Sequence, residues 1–573
     1  MSIVARQMRM RGLFPVAIAA AVVAVMPAAT EASTTGGAAS ATAPFARSWA
    51  HVPRSQGVRR ARRILVFGQE QAVAGFNTSL NCCAQSAAAG QTLPVIRGAF
   101  ITNNRLQHVK DLVTEARASA TTLSYTIRRN AFWNWGGKKI PVTYQDFVYT
   151  WQQLVDPKND VASRDGYDQI TGYTHEGEKQ VTFTWAKPFA AWQLLFSTVY
   201  PSAALQGQDF NTIWRSCICG SDGKPVSDGP FMLTNFTGGE GSTLKPNKYW
   251  YGKKPRLREI DFKVIADTNG EVFAMRTHRV DVINPTFGIN LLPLRTARGL
   301  TYNQVPSLDQ EHIDIQFGSQ GQPLLRAPWM RRALMMGIDR AAIIKTIFGE
   351  FAATMKPLDN VVYYQPDPAY RPDFRKWNYN PRKALALMKR HCTDGPSTVG
   401  GFGATWVCSG ITAKFRYTWT TSNATRALQE ALVKDQLKRI GIEIDDAPLP
   451  ASVVFSPTGI PSANYDLANF AWTTAPDPAS FVQMWSCGGE SNFTRYCSSA
   501  ASNDLAAAGM ELDPAKRRAL FQHADALLAR DLPSIPLYSR PNPLIWRSAV
   551  VGLKNNPSPA GFAWNAETWH WRR

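Results

Sequence analysis

The chain has 573 residues, 45% of them hydrophobic and 11% aromatic, with a formal charge of +20. That much apolar material can bury more than one core, which excludes wholesale disorder and fits roughly two to four domains. The positive charge suits contact with an anionic membrane or wall polymer, and the lack of any recognisable nucleic-acid-binding module excludes nucleic acid as the partner.

Arg6, Arg9 and Arg11 precede an apolar run from Leu13 to Met26, and the small residues Ala28, Ala29 and Ala32 follow. This predicts a secretory signal peptide over residues 1–32. The run is shorter than the ~20 residues a membrane-crossing helix needs, so a transmembrane anchor is the weaker reading. The first cysteine is Cys82, and no lipoprotein cysteine follows the run. The expected location is extracytoplasmic, in the periplasm or on the exterior of the cell envelope. Residues 33–62 are rich in Ala, Thr, Ser and Gly and read as a disordered basic linker. Arg54, Arg59, Arg60 and Arg62 lie there, placed to meet an anionic surface or simply to be solvated.

The fold is expected to begin at Arg63–Gly68. Thr122–Arg128 alternates as a strand. Thr143 caps a helix with Asp146 three residues on, and Phe147, Val148, Trp151, Leu154 and Val155 form its apolar face before Asp156-Pro157 ends it. Trp133 and Trp135 are read as core, with carbohydrate stacking as the alternative. Phe231–Phe236 and Ile260, Phe262, Val264 give strands around a Gly-Gly-Glu-Gly turn, a helix starts near Asp267, and Val280–Ile283 is extended. Pro328 opens one helix and Asp339 caps the next, Asn380 caps another, and a helix over 423–439 closes at Gly441 before strand Ile442–Ile444. Tyr465–Trp472 alternates as a strand. Asp513-Pro514 starts the last long helix, and Ser534–Tyr538 is the last strand.

Eight cysteines in an exported chain favour disulfides. Cys392 with Cys408 and Cys487 with Cys497 each close a short excursion, while Cys82, Cys83, Cys217 and Cys219 are left to pair among themselves. A zinc site is the competing reading of that quartet, although adjacent Cys-Cys and Cys-x-Cys are not the usual zinc spacing. The eight histidines show no two at ligand spacing, and no metal or cofactor is expected. Enzyme motifs are missing: there is no Gly-x-Ser-x-Gly, no His-Glu-x-x-His and no phosphate-binding Gly-x4-Gly-Lys loop. Ser221-Asp-Gly-Lys224 fits Ser-x-x-Lys in form only, in a turn beside two cysteines.

Several segments, taken in order, resemble the family 5 extracellular solute-binding proteins of ABC importers, which include dipeptide, oligopeptide and nickel receptors. They are Phe132–Gln152, Ser227-Asp-Gly-Pro-Phe231, Asn247-Lys-Tyr-Trp250, Phe262–Asp267, Val280-Asp281, Arg331–Arg340, Asn380–Met388, Tyr465–Phe481 and Ser534–Tyr538. The resemblance implies a two-lobed α/β fold of the periplasmic-binding-protein kind with an extra subdomain. Lobe I would span 63–300 with an insert at about 85–215, lobe II 301–532, and residues 533–573 would return to lobe I. It also implies a monomer that captures a peptide or related small solute, closes by a hinge, and delivers it to an ABC permease and its ATPase. The alternative is a receptor-fold protein that no longer transports and instead regulates envelope or glycolipid assembly. The implied ligand segment is Trp472, Thr473, Thr474 and Asp477. Peptide-binding relatives carry a carboxylate three residues after this Trp, where the chain has Ala475. Asp477 either takes over the pairing with a ligand ammonium or caps a helix.

Overall fold

Ten strands form one mixed sheet through the middle of the protein, in a computed structural model that describes residues 63–572 except 266, 366, 402, 422, 474, 559 and 560. The expected signal peptide and basic linker, and Thr474 of the ligand segment, lie outside the described residues. From one edge the strands are 231–237, 241–246, 259–264, 64–69, 282–283, 534–547, 300–315, 467–473, 414–418 and 443–446. Ile64–Gln69 runs parallel to Glu259–Val264 and to Val282–Ile283. In the other half, Lys414–Thr418 runs parallel to both Glu443–Asp446 and Leu467–Thr473.

Two long antiparallel strands, Leu300–Ile315 and Ser534–Arg547, pass from one half of the sheet to the other. Their ladder is weakened midway, because Pro306 faces Pro541 and neither has an N–H to donate. The register then shifts, so that Ser307, Leu308 and Asp309 stand opposite Arg540 alone before Gln310 pairs with Ser539. Such a bulge bends and twists a strand pair at the place where function often sits.

Two hydrophobic cores flank the sheet. One gathers Leu65, Phe67, Phe262, Phe562 and Trp569 with the aromatic interior of residues 95–233. The other runs from Ile265 and Met275 across the whole second half to Phe521 and Tyr538. A separate four-stranded sheet, built from 113–118, 122–127, 180–185 and 170–176, sits in the first half with the helix Tyr144–Val155. That helix starts as its sequence predicts: Thr143 Oγ1 accepts from Gln145 N, and Asp146 Oδ2 accepts from Thr143 N at 2.9 Å. Asp146 does more than cap. It also accepts from Trp133 Nε1 and from the amide and hydroxyl of Ser202, so Trp133 is a buried core residue.

All eight cysteines are in disulfides: Cys392–Cys408, Cys487–Cys497, Cys82–Cys83 and Cys217–Cys219. The first two restrict excursions of 16 and 10 residues, and closing loops of that size is worth about 3 kcal/mol each through the unfolded chain. Two strands differ from their sequence reading. Leu300–Ile315 was not among the expected elements, and the strand expected over Ser534–Tyr538 continues to Arg547 through Pro541 and Pro543. Those prolines lie at and beyond the passage between the halves, where the ladder is already broken.

Candidate functional site

In open α/β sheets, ligands bind beyond the carboxyl ends of the strands, where the strand order changes sense. The registers here point both sets of carboxyl ends at one place. Ile283 pairs with Ile545, which pairs with Tyr302, so the strands ending at Gln69, Val264 and Ile283 all run toward Pro306. From the other side, Thr473 pairs with Asp309, so the strands ending at Thr418, Asp446 and Thr473 run toward the same bulge. Trp472, Thr473 and Asp477 of the ligand segment expected from sequence lie at and just beyond the end of this last strand.

Trp472, one residue before the end of its strand, is packed inside the protein, with 2% of its surface exposed. Its indole stacks against His312 at a centroid distance of 6.1 Å and meets Phe470 and Phe493 at 5.0 and 5.4 Å. Thr473 is half-buried beside Asp309. Asp477 caps the short helix Pro478–Ser480, accepting from Ala479 N at 2.8 Å. It also forms a bidentate pair with Arg517, Oδ2 to Nη1 at 2.7 Å and Oδ1 to Nη2 at 2.6 Å. Burial works against the Arg517 charge, but Asp477 outweighs it and holds the guanidinium above its ordinary value. Asp477 thus caps, and its charge is matched from within the chain. Sequence reading did not find Arg517, because 40 residues and a helix separate the partners.

The first half reaches this place through a hairpin, Phe100–Thr102 with His108–Lys110. His108 shares a contact with Thr102 Oγ1 at 3.1 Å and faces Asp477 and Arg517. Burial lowers its pKa, while the opposed effects of Asp477 and Arg517 act on it from across the gap. Leu106, in the tip of the hairpin, holds a φ of 61° and packs against the larger core. A left-handed backbone at a bulky residue is strained and is tolerated where the surroundings fix it. Farther out, Ala190 N donates to Gly509 O at 3.0 Å, so the two halves meet on this side.

The two faces of the strand Leu300–Ile315 differ at the bulge. On one, Glu311 is buried and accepts from Arg426 Nε at 2.8 Å and Arg540 Nε at 2.9 Å. Burial alone would raise its carboxyl, but the two guanidinium groups pull it down to about 2. On the other, Gln310 pairs in register with both Trp472 and Ser539. Two cavities, of about 240 Å³ beside Trp133 and Trp135 and about 320 Å³ beside Ile344 and Met355, lie away from the bulge. Among the described residues no three His, Cys, Asp or Glu side chains gather as a metal shell, and no helix is long and apolar enough to cross a membrane.

Residues 109–493 match the family described as bacterial extracellular solute-binding proteins, family 5 Middle. The chain belongs to this family. It is a solute-binding protein of the kind that serves ABC importers, and its relatives favour that reading over the non-transporting alternative. It is similar to the oligopeptide-binding protein OppA of Mycobacterium tuberculosis, 25% identical over 452 residues that cover 76% of this chain and 72% of OppA. Among solved structures it resembles the periplasmic EDTA-binding protein EppA, with a TM-score of 0.76, 21% identity and coverage of 89% and 96%. It also resembles the oligopeptide-binding protein AppA from Bacillus subtilis, solved in complex with a nonapeptide, with a TM-score of 0.67, 18% identity and coverage of 89% and 99%. These likenesses carry the two-lobed α/β fold.

Proposed function

We propose that this protein captures short peptides between its lobes, outside the cytoplasmic membrane, and hands them to an ABC permease. The observation that carries the reading is the convergence of the carboxyl ends of six strands on the Pro306–Gln310 bulge. The names of OppA and of AppA with its nonapeptide support a peptide as the solute class. In this reading residues 63–300 with the 533–573 return form one lobe and 301–532 the other, the larger core reaching into the first lobe through Met275, Leu294 and Ile545, and the proline-faced passage between them is the hinge. The protein acts as a monomer, as a binding protein and not as an enzyme.

In this reading Trp472, Thr473 and Thr474 line the ligand, and Asp477 holds the segment in shape through Arg517. The ammonium of the peptide then needs another acid, since Ala475 stands where relatives carry one. Asp309 is placed for it. It is half-buried, in register with Thr473, and its carboxylate has no hydrogen bond or ion pair among the described residues.

Calorimetry with tri-alanine and with N-acetyl-tri-alanine tests both steps. Losing a charge partner costs roughly 2–5 kcal/mol, so Asp309→Asn should weaken tri-alanine binding thirtyfold or more, on the order of 2 kcal/mol, and leave the acetylated peptide unaffected. Equal weakening of both peptides would remove Asp309 from the ammonium site. A wild-type protein that binds neither peptide, nor any peptide seen by native mass spectrometry of the purified protein, would refute the peptide reading.

A further inference from the structure

The strands of the first half share a second end, away from the bulge. Ile64 pairs with Glu259, Arg258 N donates to Arg63 O at 2.8 Å, and Leu300 pairs with Arg547, whose amide donates to Asp281 O at 3.0 Å. The strands 241–246, 259–264, 64–69, 282–283, 534–547 and 300–315 thereby place six neighbouring ends on one pole. Adjacent strands lie about 4.8 Å apart, so the row is about 25 Å wide. The loop 247–258 joins two of these ends, and the helix Thr268–Arg276 returns the chain to a third. The pair Val550–Val551 with His570–Trp571 packs beside them, Trp571 Nε1 donating to Ile64 O at 3.0 Å.

Cations crowd this pole. Arg63, Arg256, Arg258, Arg276, Arg298 and Arg572 are all exposed, and their side chains make no hydrogen bond or ion pair among the described residues. Lys253 and Lys254 add two more exposed charges. The acids on the same ends are matched from within: Asp281 by Arg547 Nε at 3.0 Å, Glu259 by Lys245 at 3.7 Å, and Asp261 by the hydroxyl of Thr243 at 2.8 Å. Protein surfaces ordinarily mix both signs, and a field of one sign repels itself unless a partner neutralises it. In sequence Arg59, Arg60 and Arg62 lead straight into Arg63, so the basic linker joins the folded chain here.

We propose that this pole docks the protein on the anionic headgroups of a phospholipid membrane. Arginines spread over a row of strand ends and the loop beside it match a plane of phosphates, each of which a guanidinium can meet with two N–H groups. Two half-buried aromatic side chains lie among the cations: Trp571 beside Ile64, and Tyr249 with Lys248 Nζ 4.7 Å from its ring centre. Trp and Tyr, apolar in body and polar at the tip, are the residues that settle at a lipid–water boundary. That combination favours a lipid surface over a soluble anionic polymer. The strand Ile64–Gln69 rises about 20 Å from the pole to its carboxyl end. A protein held by this pole therefore keeps its cleft away from the lipid and open to solute, whatever that solute is.

Sedimentation of the mature chain, residues 33–573, with lipid vesicles tests the proposal. At about 0.1 M salt the protein should bind vesicles containing phosphatidylglycerol and leave pure phosphatidylcholine vesicles alone, and about 1 M salt, with a screening length of about 3 Å, should release it. Each basic residue near an anionic surface is worth about fivefold in affinity, so Lys253→Glu, Lys254→Glu and Arg256→Glu together should weaken binding about a hundredfold or more. These side chains hold nothing else in the fold, and Tm should stay at the wild-type value. Equal binding to both kinds of vesicle would overturn the proposal. So would full binding by the triple variant, with loss only in a chain carrying Arg54→Gln, Arg59→Gln, Arg60→Gln and Arg62→Gln. Binding to soluble polyglutamate but to no vesicle would assign the pole to an anionic polymer and overturn the proposal as well.

Discussion

Glu311 and Gln310 are adjacent in one strand, both buried, and treated in opposite ways. Glu311 has two arginines and a saturated hydrogen-bond set; Gln310, on the other face, has an amide nitrogen without a partner among the described residues. The difference separates two uses of a buried polar group. A charge taken out of water must be matched inside the fold, because leaving it alone costs far more than the fold can absorb. A neutral donor left unmatched costs little enough that the fold survives. The same contrast separates Asp477, locked to Arg517, from Asp309, whose carboxylate makes no hydrogen bond or salt bridge among the described residues and acts on Arg540 only through space.

The largest break in this comparison is Glu311→Gln. It leaves Arg426 and Arg540 facing a neutral amide, and breaking a buried pair in this way costs about 3–5 kcal/mol. Urea titration should show that loss, with the midpoint moved and the slope kept. The pH dependence follows from the same group. Its folded pKa lies below the unfolded one, so its stabilisation is present above about pH 4.5 and is lost as pH falls toward about 2. The variant should lack that part of the acid transition.

Asp477→Asn comes next. The amide still caps, but the bidentate pair is lost, and charged hydrogen bonds are worth about 1.5–3 kcal/mol. Stability should fall by that order, while tri-alanine affinity changes by less than about threefold because Asp477 acts through Arg517. A thirtyfold loss of affinity with unchanged melting would instead make Asp477 the ligand's charge partner.

The smallest effect belongs to His108, at the meeting of the lobes. Its pKa is lowered in the folded chain, so the contact is favoured by the neutral ring, and the folded form loses stability as pH falls below about 6.5. The groups facing it are Asp477, Arg517 and Thr102. His108→Gln should flatten the change in Tm between pH 7 and 5 without altering Tm at pH 7. A Tm difference between those pH values as large as in wild type would remove His108 from the account.

Much of this molecule is legible locally. The Thr143–Asp146 box, the Asn380 cap and the Asp339 cap are short-range devices, and the structure contains each. The strand at Trp472 is likewise where its alternation places it. What stayed hidden is long-range. Leu300–Ile315 carries Pro306, three acids and a histidine, a poor strand pattern that only pairing with two distant strands explains. The extension of Ser534–Tyr538 is masked by two prolines for the same reason. Arg517 and His108 depend on tertiary register, which no local spacing encodes.

The most direct test of the central claim, that solute is held where the strands of both lobes end, is hydrogen exchange read by mass spectrometry with and without saturating tri-alanine. The account predicts slowed exchange in three separate segments, 306–311, 471–478 and 538–541, with little change around Trp133 and Trp135. Protection confined to that aromatic cavity, with the bulge and the Trp472 segment exchanging as in the empty protein, would contradict it.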